Sequence, residues 1–202
     1  MIAKFTKSDV TIAPIEILYS GFFKINLYQF EHALFSGGTS PIIEREILER
    51  GDAVAVLPYD PITEQVLLIE QIRIGAIKSK QSPWLLECIA GMTDGSLDYE
   101  DVVKREAFEE AGLVLHELEF MLSYLSSPGG TTERLHLYLA KTDLSGLQSG
   151  IYGLASEGED IKTHILGFDD ALSRLNNGEI DNAATVISLQ WLALNRDRII
   201  KQ

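Results

Sequence analysis

The chain has 202 residues, 46% of them hydrophobic and 23% charged, with 30 acidic against 17 basic side chains and a net charge of -13. That is enough apolar material for a sizeable core, and no apolar run approaches the roughly 20 residues that span a bilayer, which excludes a helical membrane protein. The negative field opposes nucleic-acid binding through phosphate neutralisation, and the single cysteine, Cys88, excludes an intrachain disulfide.

The first fifty residues read as extended. Residues 24–32 mix polar and apolar side chains at near period two, Ser36-Gly37-Gly38-Thr39 signals a turn, and residues 41–49 look like a returning strand. Residues 1–50 are therefore expected to form a small antiparallel β unit, too small to be stable alone. Residues 51–202 are expected to form the main domain. It opens with two short apolar runs, Ala53–Leu57 and Gln65–Ile69, separated by a turn cluster, Pro58-Tyr59-Asp60-Pro61. Runs of this kind are strands buried on both faces. Residues 134–139 alternate with leucines on one side, the pattern of a half-buried strand. A helix over 168–175 stops at Asn176-Asn177-Gly178, and Asn182 is placed to cap a longer one carrying Ile187, Trp191 and Leu194 on its apolar face. The fold class is α/β (α+β), with helices covering a mixed sheet. The opening residues Met1–Lys7 lack the apolar stretch of a signal peptide, so a cytoplasmic protein is expected.

Between those strands and helices lies the densest chemistry. Asp98 is a candidate N-cap, with Asp101 as its capping-box partner, and Gly112 is a natural helical stop. Inside this helix Glu106 and Glu110 stand four residues apart, so their carboxylates share one face, with Glu109 beside them. Like charges at that spacing cost roughly a few tenths of a kcal/mol, which solvation alone can tolerate. A hard divalent cation would instead turn the repulsion into binding.

The spacing around the helix decides between those readings. Gly91, Arg105-Glu106, Glu109-Glu110 and Gly112, with Ala107 and Leu113 at the aliphatic places, follow G-x5-E-x7-R-E-U-x-E-E-x-G-U, the Nudix box. The first Glu of that pattern is Leu97 here. In the family this Glu pairs with the box arginine, Arg105 in this chain, and Asp94 or Asp98 is a candidate substitute. Outside the box, Gly21-Phe22-Phe23, Glu70-Gln71-Ile72-Arg73, Pro83-Trp84-Leu85-Leu86-Glu87 and Ser127-Pro128-Gly129-Gly130 resemble the bacterial ADP-ribose pyrophosphatases of the Nudix superfamily. Pro128, sixteen residues after Gly112, matches that subfamily's marker proline. The resemblance extends over roughly residues 10 to 195.

The resemblance implies a Nudix α/β/α sandwich with a mixed sheet, and Mg2+-dependent (or Mn2+-dependent) hydrolysis of ADP-ribose to AMP and ribose 5-phosphate. It implies metal ligands at Glu106, Glu110 and the carbonyl of Ala90, with a further ligand and the catalytic base in the loop 156–160. Glu157 is assigned as base and Glu159 as ligand, with the reverse also open. Substrate contacts carry over to Phe22, Phe23, Arg45, Glu46, Arg50, Arg73, Met92, Ser127, Pro128, Gly129 and Glu133. An aromatic face suits adenine, and guanidinium suits phosphate. The resemblance further implies a homodimer in which the N-terminal unit supplies part of the partner's active site. The rivals are a pyrophosphatase for another nucleotide sugar, such as GDP-mannose, and a non-catalytic nucleotide-sugar sensor. His32, His116, His136 and His164 show no paired zinc spacing, and neither a Walker phosphate loop nor a serine elbow is present.

Overall fold

The computed structural model describes residues 4–79 and 82–201. The chain divides into two units, Met1–Gly51 with Leu125–Glu133, and Asp52–Tyr124 with Arg134–Gln202. In the first unit, β3 (Lys24–His32) is the common partner of β1 (Val10–Ile12), β2 (Glu16–Ser20) and β4 (Ile43–Glu49), all antiparallel to it. Gly37 and Gly38 both adopt positive φ in the β3–β4 connection, at the turn read from the sequence. The segment 125–133 joins this unit through a main-chain bond from Leu48 N–H to the Gly130 carbonyl.

The second unit is built on an eight-stranded mixed sheet. Its centre is β5 (Ala53–Asp60), β6 (Gln65–Ile72), β10 (Arg134–Lys141) and β12 (Ile161–Gly167), flanked by β7 (Trp84–Glu87), β8 (Ile89–Met92), β9 (Glu117–Leu125) and β11 (Ile151–Tyr152). β5 runs parallel to β10 and antiparallel to β8. Successive strand residues face opposite sides, so Val54, Val56, Leu67 and Ile69 pack under α1 (Tyr99–Ala111). Ala55, Leu57, Val66 and Leu68 pack against α2 (Phe168–Asn176) and α3 (Ala183–Ile200). The result is the expected α/β/α sandwich.

Three details differ from the sequence reading. Pro58, Tyr59 and Asp60 continue β5, and the turn is 61–64. Pro58 falls where the pairing of β5 passes from β8, at 53–56, to β6, at 59–60, so its missing N–H interrupts neither ladder. β10 is buried on both faces rather than half-buried, because Leu137 and Leu139 meet α3's side while Tyr138 and Ala140 lie on α1's side. On α3 the buried stripe is Thr185, Ser188, Leu189, Leu192 and Ile199, while Leu194 is 87% exposed. The small Thr185 lets the helix approach until its Oγ1 accepts from the Cys88 N–H at 2.7 Å. Asn182 does cap this helix, accepting from Thr185 N–H at 3.1 Å, and its amide also donates to the Leu86 carbonyl at 2.8 Å.

A candidate metal and diphosphate site on the acidic helix

The local sequence explains how α1 is held. Asp98 Oδ1 accepts from Asp101 N–H at 3.2 Å, while the Asp98 N–H goes to Ser96 Oγ, so the capping box is not closed from Asp101. Gly112 ends the helix with φ at 65°, a left-handed position that costs a side-chain-bearing residue about 1–2 kcal/mol. Val102, Val103, Ala107 and Ala111 bury the apolar face against the sheet. On that anchoring, Glu110 is carried into the interface and is only 2% exposed.

Glu110 Oε2 accepts from the Ala90 N–H at 3.0 Å. Burial pushes its carboxyl up to about 8, opposed by the Ala90 hydrogen bond, reinforced by Glu106 and Glu159, and opposed again by Arg73. Glu106 is also raised, first by burial and against Arg105, with Glu109 and Glu159 adding to the rise. Glu159 thus reaches the same field from the loop after β11. Its Oε2 accepts from Leu154 N–H at 2.9 Å, and the Gly153 N–H of that loop donates to the Glu109 carbonyl at 3.2 Å.

Two glycines make the approach possible. A Cβ on Gly91 would stand 2.0 Å from Glu106 Oε1, and one on Gly153 would stand 2.7 Å from Glu159 Cβ. Arg105 pairs with Glu106 at 2.6 Å and Glu109 at 2.8 Å, not with Asp94 or Asp98. Helical neighbours one and four residues away supply its partners, and Leu97, 87% exposed, takes no part.

Among the described residues, no three acidic, His or Cys side chains stand close enough together to hold a cation. The glutamates interact electrostatically without forming a finished cage, and Arg105 occupies the place of the opposite charge at Glu106. The donor set nonetheless fits a hard divalent cation. It is all oxygen, from carboxylates and the Ala90 carbonyl, one member is buried against its own desolvation cost, and the missing Cβ at Gly91 lets the Glu106 carboxylate lie against β8. Cys88, pushed up to about 12 by burial, is no nucleophile at neutral pH.

The remaining candidates separate by unit. Ala90, Met92, Arg73, Glu106, Glu110, Glu157 and Glu159 belong to the second unit. Ala90 and Met92 lie on β8, and Arg73 follows β6, half-exposed, with its Nε 2.9 Å from Glu87 Oε2. Glu157, in a short 3-10 turn, is exposed, and among the described residues its side chain makes no hydrogen bond or ion pair. Phe22, Phe23, Arg45, Glu46, Arg50, Ser127, Pro128, Gly129 and Glu133 all belong to the first unit. There Arg50 pairs with Glu133 at 3.1 Å and lies 5.3 Å from the Phe23 ring centroid. Phe22, 87% exposed, meets Phe23 edge to face at 4.8 Å. Arg45 and Glu46 are exposed on β4, and Ser127, Pro128 and Gly129 on the 125–133 segment.

Two residues outside these candidates hold others in place. Glu49 bonds both Tyr28 Oη, at 2.6 Å, and Thr132 Oγ1, tying β3 to the 125–133 segment. Glu87, 8% exposed, is Arg73's anchor. The one available signal for Glu87 was a carboxylate closing the apolar run from Trp84, which calls for a buried partner.

The NUDIX domain family matches residues 49–189. The chain belongs to the Nudix family. Among Nudix relatives, the ADP-ribose pyrophosphatase of Escherichia coli (strain K12) is 48% identical over 195 residues, covering 96% of this chain and 93% of the relative. The ADP-ribose pyrophosphatase of Haemophilus influenzae is 47% identical over 197 residues, covering 96% and 90%. The GDP-mannose pyrophosphatase of Pectobacterium atrosepticum is more distant, 34% identical over 186 residues, covering 91% and 93%. A crystal structure of an ADP compounds hydrolase shares the Nudix fold with a TM-score of 0.67 at 17% identity, covering 94% of this chain and 96% of that one.

Proposed function

We infer that this Nudix protein hydrolyses the diphosphate bond of ADP-ribose, giving AMP and ribose 5-phosphate. The observation that carries this reading is 48% identity sustained over 96% of the chain with an ADP-ribose pyrophosphatase, against 34% with a GDP-mannose pyrophosphatase. The chemistry of the acidic helix agrees with it. Glu106, Glu110 and Glu159, with the Ala90 carbonyl, would hold divalent cations, Mg2+ by the hardness of the donors and Mn2+ as an alternative. Such cations withdraw charge from a diphosphate and ease deprotonation of water.

The chain's own residues do the rest. Glu157 takes the proton from the attacking water, a role its exposed carboxylate can fill without the desolvation that burdens Glu110; exchange of this role with Glu159 is the alternative. Arg73 neutralises diphosphate charge. Phe22, Phe23, Arg45, Glu46, Arg50, Met92, Ser127, Pro128, Gly129 and Glu133 bind the adenosine and ribose portions. We further propose a cytoplasmic homodimer whose active sites draw on the first unit of the partner.

The test is purified protein with Mg2+ or Mn2+ and two substrates. AMP should appear from ADP-ribose at a kcat/KM well above that for GDP-mannose. Preference for GDP-mannose would replace the substrate, and tight ADP-ribose binding without turnover would make the protein a sensor.

A further inference from the structure

We propose that Glu87 is a positioning residue that aims Arg73 at the diphosphate, so that substrate affinity is governed by a carboxylate that does not touch the substrate. The proposal rests on the hydrolase reading above. Glu87 closes β7 and pairs across the sheet with Ile69 of β6. Paired residues of antiparallel strands project to the same side, and Ile69 packs in the cluster under α1. Glu87 therefore points to the face that carries Glu106 and Glu110, where it is only 8% exposed. Arg73 emerges from the end of β6 beside it, its backbone N–H donating to the Pro83 carbonyl at 2.7 Å. Both residues are thus fixed by the same pair of strands.

The side-chain contact is one-edged. Glu87 Oε2 takes the Arg73 Nε at 2.9 Å, and among the described residues the terminal Nη groups bond to no partner. The arginine side chain is 44% exposed, and its charge is felt at Glu110. One end of the guanidinium is pinned from below, and the other faces outward near the carboxylates where phosphate oxygens would be held. Paired donation to two phosphate oxygens needs that orientation. Without Glu87, the nearest attraction for Arg73 is the glutamate cluster itself, where the guanidinium would compete with a cation.

A purely structural ion pair predicts something else. A pair with one half-exposed member contributes little to stability, and the buried carboxylate already opposes folding by its desolvation. Glu87→Gln should leave the thermal midpoint close to wild type. With ADP-ribose as substrate, it should raise KM about tenfold while kcat stays within about twofold, the size expected for losing a charge-assisted contact. Arg73→Ala should raise KM at least as far, and adding Glu87→Gln to it should change KM no further. Glu87→Asp should recover part of the affinity, and Arg73→Lys, which keeps the charge but loses the pinned fork, should not match wild type. An unchanged KM in Glu87→Gln, or full additivity with Arg73→Ala, would overturn the positioning role while wild-type turnover upheld the hydrolase. Absence of turnover in the wild type would overturn both.

Discussion

Glu110 concentrates the conflict on which the site depends. Its ordinary pKa is 4.5, and burial first, then Glu106 and Glu159, raise it to about 8 in the metal-free protein. A raised acid favours the protonated form in the folded state, so its contribution to stability is full below 4.5 and is lost as pH rises toward 8. The metal-free protein should therefore melt at falling temperature across that window, and Glu110→Gln should flatten the decline. Saturating Mg2+ should raise the melting temperature most at the alkaline end, where the carboxylate is charged and available. The same variant should keep its fold and lose turnover by about a hundredfold or more, since cation stabilisation of the diphosphate is worth several kcal/mol. A melting curve that follows pH identically in both proteins would remove Glu110 as the cause. Leu97 is the opposite case. Arg105 is held by Glu106 and Glu109, and Leu97 is exposed, so Leu97→Ala should change neither melting temperature nor kcat/KM measurably.

At the scale of elements, α1 is positioned by two glycines with different duties. Gly91 sits where the nearest atoms a Cβ would meet belong to the Glu106 side chain, whereas Gly112 combines positive φ with contact from the Tyr152 ring. Gly91→Ala should displace Glu106 and lose most activity at nearly unchanged melting temperature. Gly112→Ala should lose about 1–2 kcal/mol of stability from the backbone alone. Circular-dichroism melts beside steady-state rates would separate the two, and equal losses in both measurements for Gly91→Ala would defeat the distinction. The box helix was legible in the sequence because its signals are local: a cap, an i,i+4 carboxylate pair, and a glycine stop. The central strands were legible as apolar runs, but their surroundings were not. Alternation in residues 134–139 reports one face, and only the sheet order reveals that both faces of β10 are covered. Of the expected stripe on α3, Ile187 and Trp191 pack against the core and only Leu194 does not, while Thr185 and Ser188 are buried through their smallness, which a hydrophobic pattern does not register. Glu87 depends on a contact with Arg73 on another strand, which single-sequence spacing does not encode, and Glu159 was reached only through the family resemblance.

For the whole molecule, the division of the candidate residues between two units sets the question of assembly. The first unit leaves Ile12, Ile17, Leu18, Tyr19, Phe22 and Phe35 exposed, an apolar surface on a small β unit. Exposed apolar surface of this kind favours association. If each active site takes its first-unit residues from the partner, lesions in different units should complement. A chain carrying Arg45→Ala with Glu46→Ala damages only what it lends, and a chain carrying Glu110→Gln damages only what it keeps. In a mixed dimer, one site then inherits both lesions and the other inherits neither. Co-refolding the two inactive proteins should restore ADP-ribose hydrolysis, with sedimentation reporting a dimer throughout. If each site is built within one chain, every site in the mixture keeps one lesion and activity stays at the level of the parents. A monomeric, fully active wild type would remove the shared site altogether.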